Sequence, residues 1–242
     1  MNREYHHWHS PCLDRTMELL VFGDAGVKVL AFPTRDGRFY EYENLGLIHA
    51  IKDKIHAGHI QIFCVDNLAH ETFYAWYKKP QARIQRYLEF ERYILNEVMP
   101  FMANKNESPF IISLGCSLGA FHAANIVFRH PHLFHKLLAF SGRYDLTMTV
   151  EHFNNLFDGY YDDSVYFNTP LHFLPNLNNE VFLQQLRRVE MIFAIGKEDP
   201  FLENNHQLSQ ILWSKGIWHA MHEWEGRAHR GKHWRNMINI YL

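Results

Sequence analysis

The chain has 242 residues, 47% of them hydrophobic and 21% charged, which is enough for one large buried core. Its formal net charge of -2 and the absence of a recurring Lys/Arg stripe argue against a nucleic-acid partner. No apolar run reaches the length of a membrane span, and the N-terminal residues contain no apolar signal segment, so we expect no membrane partner and a cytoplasmic location. The cysteines, Cys12, Cys64 and Cys116, lack the spacing of a disulfide scaffold or a zinc site.

Short apolar runs alternate with stretches of helical periodicity, which predicts an α/β fold with a mainly parallel sheet and helices on both faces. The predicted strands are 16–22, 27–32, 60–66, 110–115, 136–142, 189–196 and 217–224. The predicted helices are 42–58, 81–99, 118–130, 202–216 and 233–242. The turn sequence G-D-A-G joins the first two predicted strands and indicates an antiparallel N-terminal hairpin at the edge of the sheet.

One segment departs from this alternation. Residues 146–178 are polar, aromatic and irregular, whereas regular patterns resume at 189. We therefore expect a single α/β domain over residues 1–242, with a small cap insertion at about 146–178.

The stretch G-C-S-L-G-A lies between a predicted strand and a predicted helix. It contains the pattern G-x-S-x-G, in which Gly115 and Gly119 flank Ser117. Glycines relieve crowding in a tight strand-to-helix turn, and the serine hydroxyl is then exposed at the start of the helix. The pattern and its context predict Ser117 as a nucleophile.

A serine hydroxyl needs a base to take its proton and an acid to orient that base. In α/β-hydrolase architecture the acid and the histidine follow the serine in that order. Asp199 follows the strand 189–196 and is the predicted acid, with its neighbour Glu198 as the alternative. For the base, His229 in the loop after the last predicted strand ranks first.

His233, near the start of the last predicted helix, ranks second as the base. His219 and His222 fall inside a predicted strand, where we expect them to be structural. The sequence also contains H-H-W-H at 6–9 and H-R-G-K-H at 229–233. Neither has the paired ligands and the glutamate of a zinc motif, so we predict no metal and no cofactor.

The oxyanion that forms during acyl transfer needs main-chain N–H donors. The first predicted donor is Leu118, the residue after the nucleophile. The second should come from the loop 32–39, where Thr34, Arg35 and Asp36 are the candidates and Arg35 is the predicted donor.

Aromatic residues are plentiful in the stretches 67–80 and 153–175. Ligand pockets are often lined by such side chains, although most of these are expected to serve packing. Trp76 and Tyr160 are the predicted substrate-binding residues, and short-chain or aromatic acyl groups are the predicted substrates.

The chain resembles the "putative esterase" family of α/β hydrolases, which includes esterase D-like enzymes, antigen 85-like acyltransferases and enterochelin esterases, and within it a bacterial branch of uncharacterised esterases. The stretches that carry the resemblance are LAFPTRDGRFYEYENLG, IQIFCVD, RYLEFERYILNEVMPF, GCSLGAFHAANIVFRHP, SGRYDL, AIGKEDPFLENN and KGIWHAMHEWEGRAHRGKHW. The resemblance implies an α/β-hydrolase fold and a triad of Ser117, Asp199 and His229.

The sequence thus predicts a serine carboxylester hydrolase that acts on a small-molecule ester through an acyl-enzyme intermediate. Two alternatives remain open. One is an acyltransferase that uses the same triad, and the other is a binding or scaffold module with little catalysis. The oligomeric state is also open, a homo-oligomer included.

Overall fold

Eight strands form one sheet in the computed structural model, which describes all 242 residues. The strands are β1 (Arg3–Ser10), β2 (Arg15–Phe22), β3 (Val27–Phe32), β4 (Ile60–Val65), β5 (Ile111–Cys116), β6 (Lys136–Phe140), β7 (Glu190–Gly196) and β8 (Ala220–Trp224). Their order across the sheet is β1-β2-β4-β3-β5-β6-β7-β8. The strands from β4 to β8 pair in parallel, and β2 is antiparallel to both of its neighbours. The predicted fold class is therefore confirmed.

The turn sequence G-D-A-G predicts a hairpin of β2 and β3, but other strands form the antiparallel edge of the sheet. Strand β4 lies between β2 and β3, so the link G-D-A-G does not close a hairpin. The edge hairpin consists of β1 and β2 instead, and β1 was not predicted. In β1 exposed residues alternate with partly buried ones, as expected of an edge strand with only one face on the core.

The helices are α1 (Glu41–Asn44), α2 (Leu47–Ala50), α3 (Lys52–His56), α4 (Pro80–Tyr93), α5 (Met99–Lys105), α6 (Leu118–Arg129), α7 (Asp163–Tyr166), α8 (Pro170–Phe173), α9 (Glu180–Leu186), α10 (Leu202–Ser214) and α11 (Gly231–Tyr241). The segment predicted as one helix over 42–58 is three short helices. Gly46, with a φ of +73°, separates α1 from α2, and Ile51, with a φ of -116° and a ψ of 16°, separates α2 from α3. The helix predicted to end before Pro100 continues, since a π-helical turn at Ile94–Val98 leads into α5. The wider π-helical turn accommodates the ring of Pro100 and the N–H that this proline lacks.

The core lies on both faces of the sheet because successive strand residues point to opposite sides. In β3, Leu30 and Phe32 belong to the larger cluster, which α4, α6 and α10 cover. Val29 and Ala31 belong to the smaller cluster, which α1 to α3 and α11 cover. This arrangement brings the carboxyl ends of the parallel strands to one open edge.

The segment 146–178 contains only short helical turns, in line with its irregular sequence. Leu146, Phe153 and Leu156 from its first part line a cavity at the carboxyl edge of the sheet. Val165, Phe173 and Leu174 from its later part are buried in the larger core cluster. None of the helices in the chain combines the length and the apolar character that crossing a membrane requires.

Candidate active site

Ser117 occupies a strained turn between β5 and α6. Its φ of +56° and ψ of -121° are unfavourable for a residue with a side chain. A Cβ atom at Gly115 would lie 1.9 Å from the main-chain oxygen of Gly119, and one at Gly119 would lie 2.2 Å from that of Phe32. Both glycines are therefore required by close backbone approach, and the turn leaves the Ser117 hydroxyl partly exposed.

His229 connects this serine to a buried acid. The Ser117 Oγ lies 2.9 Å from His229 Nε2, and His229 Nδ1 lies 2.6 Å from Asp199 Oδ2. A carboxylate can only accept, so Nδ1 carries the proton and Nε2 is free to accept the serine hydrogen. The three predicted catalytic residues are thus brought into one hydrogen-bonded chain, although they are far apart in sequence.

The loop after β7 fixes the Asp199 carboxylate. Its side chain is 0% exposed, and its second oxygen, Oδ1, accepts the main-chain N–H of Phe201 at 3.0 Å. The alternative acid, Glu198, is exposed and makes no contact with His229. In the turn after β7 the Asp199 N–H donates to the main-chain oxygen of Gly196. This turn places Asp199, rather than Glu198, next to His229.

The loop after β8 places His229 over the serine. Ala228, just before it, has a φ of +45°, and its carbonyl accepts a 3.3 Å bond from Ser141 Oγ. The Trp234 indole packs edge-on against the His229 ring, with 5.5 Å between ring centroids, and its Nε1–H donates to Ser141. These contacts determine the orientation of the imidazole.

The other histidines of the region lie elsewhere. His233 is inside α11 and has no hydrogen bond to Ser117 or Asp199. His219 is buried against Ser209 and Ile217, and His222 stacks on Tyr241. No group of three or more His, Cys, Asp or Glu side chains is arranged to hold a metal ion.

Three main-chain N–H groups near the serine have no partner. Leu118 begins α6, and its N–H has no helical acceptor, as for the first residue of any helix. In the loop after β3, Thr34 donates its N–H and its hydroxyl to the Glu41 carboxylate at 2.7 and 2.6 Å. Arg35 and Asp36 make no main-chain N–H hydrogen bond, which leaves them as the available donors of the loop.

A cavity of about 370 Å³ opens onto the serine. Ser117, Leu118 and His229 line it, together with Thr34, Arg35 and Asp36. The remaining walls are Tyr74, Ser141, Arg143, Leu146, His152, Phe153, Leu156, Phe201 and Trp234. Seven of the fifteen lining residues are hydrophobic and the other eight are polar or charged, so the cavity combines apolar walls with many groups that can orient a ligand.

The two predicted substrate-binding aromatics are not in this cavity. Trp76 lines an adjoining cavity of about 260 Å³, and the Arg83 guanidinium lies 4.9 Å from its ring centre. The structure does not bring Tyr160 to the site. Its ring packs against the larger core cluster and its hydroxyl donates to Asp162 at 2.6 Å. Asp162 caps α7, so Tyr160 belongs to the packing of that segment.

Sequence reasoning missed Arg143, Ser141 and Glu41. Arg143 and Ser141 follow β6, the strand next to the nucleophile strand, so their place at the carboxyl end of a parallel strand was the available signal. Glu41 had no such signal, because its role depends on how the loop after β3 folds back on α1. Cys116, beside the nucleophile, is buried, and burial raises the pKa of its thiol, which disfavours the reactive thiolate.

The fold and this site define an α/β hydrolase with a serine at its nucleophile elbow. The sequence matches, over residues 34–238, the model of a family described as "Putative esterase". The chain belongs to this family, and the prediction of a carboxylic ester hydrolase is confirmed at that level. The sequence has no detectable similarity to any curated protein.

Solved structures with the same fold include several esterases. A ferulic acid esterase superposes with a TM-score of 0.77 at 14% identity, covering 100% of this chain and 96% of the other. An S-formylglutathione hydrolase from Agrobacterium tumefaciens gives a TM-score of 0.73 at 14% identity, covering 98% and 91%. The fluorophosphonate-binding serine hydrolase F of Staphylococcus aureus gives 0.69 at 13%, covering 98% and 95%.

Proposed function

We propose that the protein is a serine carboxylesterase in which Ser117, His229 and Asp199 act as nucleophile, base and orienting acid. The observation that carries this proposal is the hydrogen-bonded chain from Ser117 Oγ through His229 to the buried Asp199 carboxylate. A nucleophile within reach of a base, and a base oriented by a third group, is the arrangement that covalent acyl transfer needs.

In the first half-reaction the Ser117 oxygen attacks the acyl carbonyl carbon while its proton passes to His229 Nε2. Asp199 stabilises the imidazolium that forms. The negative oxygen of the tetrahedral intermediate accepts the N–H groups of Leu118 and Arg35, which have no other partner. The intermediate then expels the alcohol, which takes the proton from His229 and leaves an acyl-serine.

In the second half-reaction water takes the place of the alcohol. His229 removes a proton from the water as its oxygen attacks the acyl carbon, and Ser117 leaves with that proton. The products are a carboxylic acid and the free enzyme. No metal or cofactor takes part in this scheme.

The cavity supports small acyl groups. Its volume of about 370 Å³ and its apolar walls, among them Phe153 and Phe201, suit a short chain or a single aromatic ring. We therefore propose a preference for short-chain or aromatic acyl esters over long-chain lipids. Trp76 lines the adjoining cavity, and it is proposed to contact the part of the substrate that extends out of the active-site cavity.

Hydrolysis of 4-nitrophenyl acetate, butyrate and octanoate by the unaltered protein, Ser117→Ala and Cys116→Ala tests the proposal. We expect the Ser117 variant to lose activity by roughly 10⁴-fold or more, whereas Cys116→Ala retains it. Equal turnover by Ser117→Ala would exclude the serine mechanism, and faster turnover of octanoate than acetate would exclude the short-chain preference.

Adding an alcohol to the same assay distinguishes hydrolysis from transfer, since an acyltransferase would form a new ester in place of the acid. A cytoplasmic location, a cap at about 146–178 and a homo-oligomer stay predictions.

A further inference from the structure

Arg143 brings a cation into the active-site cavity without a carboxylate partner. The residue is 7% exposed and lines the same cavity as Ser117. Its guanidinium bonds only main-chain oxygens: Nε donates to Asp145, and Nη2 donates to Leu146, Met148 and Asn154 at 3.2, 2.6 and 3.0 Å. The Asp145 carboxylate is occupied elsewhere, by Thr147, the Met148 N–H and His172.

One donor of this guanidinium is unused. Arg143 Nη1 makes no hydrogen bond, and it is not among the fully buried atoms that lack a partner, so it keeps some exposure and is free to donate to a ligand. Burial lowers the pKa of Arg143, and the neighbouring Tyr74 and Asp145 oppose this shift without cancelling it. A guanidinium stays protonated in proteins, so the positive charge remains.

The wall around Arg143 contains further donors. Arg35 and Tyr74 line the active-site cavity and the adjoining cavity along with Arg143, so the three residues belong to the wall that the two cavities share. His152, Phe153 and Leu156 complete that wall. The Arg35 guanidinium lies 5.1 Å from the Tyr74 ring centre. Tyr74 is only partly exposed, and its hydroxyl oxygen is placed to accept from the Arg35 guanidinium, which leaves its O–H free to donate.

The acidic groups of the cavity do not neutralise this wall. Asp36 accepts both Nε and Nη2 of Arg35, so these two charges compensate each other. Asp199 is fully buried beneath His229. Arg143 is therefore the cation of the cavity lining that has no carboxylate in hydrogen-bond contact.

We propose that the substrate is an ester that carries an anionic group, a carboxylate, which binds Arg143, Tyr74 and Arg35 on the shared wall. This inference rests on the proposed esterase function and specifies its substrate class. Arginine forms strong, directional bonds with carboxylates, and a desolvated cation near the reacting centre favours an anionic substrate over its neutral analogue.

The test compares kcat/KM for two pairs of esters. In the first pair the charge is on the acyl side: mono-(4-nitrophenyl) adipate against 4-nitrophenyl hexanoate. In the second it is on the alcohol side: 3-acetoxybenzoate against its methyl ester. We expect the anionic member of one pair to be favoured by about tenfold or more, as for a hydrogen bond to a charged group, and that pair identifies the side that carries the anion.

Three variants assign the preference to the wall. Arg143→Gln should abolish the ratio of anionic to neutral kcat/KM. Arg143 also holds the surrounding loop, so a second variant is needed. Asp36→Asn removes the carboxylate that pairs with Arg35 and should raise the ratio of anionic to neutral kcat/KM. A purely structural role of Arg143 does not predict this rise. Arg227→Gln, which removes a cation paired with Glu151 outside the cavity lining, should leave the ratio unchanged.

The outcomes separate the two proposals. Ser117-dependent hydrolysis of the neutral esters with no anionic preference in either pair would overturn the inference and leave the esterase function intact. Absence of hydrolysis of all four esters would reject the esterase function, and the inference with it. An unchanged ratio in both Arg143→Gln and Asp36→Asn would place the preference away from this wall and overturn the assignment.

Discussion

At the residue scale, the proposed mechanism depends on a few side chains whose hydrogen bonds hold them in one arrangement. The Asp199 carboxylate has both oxygens engaged, one by His229 and one by the Phe201 N–H. Its neighbour Glu198 is chemically equivalent and faces solvent. The difference between them is one of position in a turn, which is why the pair offers a matched test of the triad.

Asp199→Asn should lower kcat by roughly 10³- to 10⁴-fold, because an amide can donate to Nδ1 and so favour the wrong imidazole tautomer. Glu198→Gln makes the same chemical change one residue away and should leave kcat unaltered. Steady-state kinetics with 4-nitrophenyl acetate measures both. Equal rates for the two variants would contradict the role given to Asp199.

The sequence was sufficient to predict the positions of Ser117, Asp199 and His229, since each follows a predicted strand and chain order limits the choices. It was insufficient for Arg143 and Glu41. Their roles depend on main-chain oxygens and N–H groups of loops, and no residue pattern reports where those groups point. The prediction of Tyr160 as a substrate-binding residue rests on its aromatic ring and its place in the stretch 153–175, whereas its contacts are with Asp162 and the core.

At the scale of elements, the loop after β3 carries the candidate oxyanion donors and is held by groups from other segments. Glu41 accepts both the N–H and the hydroxyl of Thr34. Asn67 donates its amide to the main-chain oxygens of Thr34, Arg35 and Gly37. These contacts fix the direction of the Arg35 N–H, so they should affect the transition state more than substrate binding.

Glu41→Gln should therefore lower kcat by about tenfold with little change in KM, because an amide group cannot accept both Thr34 hydrogens. The control is Glu43→Gln in the same short helix, where the glutamate pairs with Arg3 at the surface. Kinetics and thermal unfolding of both variants are the measurements. A rise in KM or a fall in melting temperature alone, with kcat intact, would assign Glu41 a structural role.

The elements also show where sequence patterns mislead. The link between β2 and β3 has the residues of a hairpin turn, yet β4 is inserted between the two strands. Which strands pair is decided by burial of both faces of the parallel sheet, a long-range effect that a four-residue turn does not encode. Pro100 likewise suggested a helix end, whereas the π turn before it allows the chain to continue as α5.

At the scale of the whole molecule, the larger core cluster includes a buried titratable group that catalysis does not use. His122 in α6 is surrounded by the rings of Phe73, Tyr87, Phe90 and Phe121. Burial lowers the pKa of His122 to about 3, from an ordinary value of 6.5. Burial raises the pKa of Tyr87, so no charged group from these neighbours compensates a protonated imidazole.

This burial makes stability dependent on pH. The unfolded chain binds a proton at His122 below pH 6.5, whereas the folded chain does not until about pH 3. The contribution of the neutral His122 to the free energy of unfolding is therefore complete above pH 6.5. It is lost as the pH falls toward 3, by up to about 1.4 kcal/mol per pH unit for one proton.

Replacing His122 with phenylalanine should flatten this dependence. Denaturant unfolding of the unaltered protein and His122→Phe at pH 7, 6 and 5 should show a smaller loss of unfolding free energy in the variant. His56→Gln, at an exposed position, controls for removal of one histidine. A variant that loses stability with the same slope would contradict the assignment to His122.

The most direct measurement of the central claim is covalent labelling with a fluorophosphonate, followed by mass spectrometry of the peptides. Fluorophosphonates modify a serine only where its hydroxyl is activated by a base. The account predicts one adduct, on Ser117, which is absent from Ser117→Ala and strongly slowed in His229→Ala. An unlabelled protein, or an adduct on another residue with Ser117 unmodified, would contradict it.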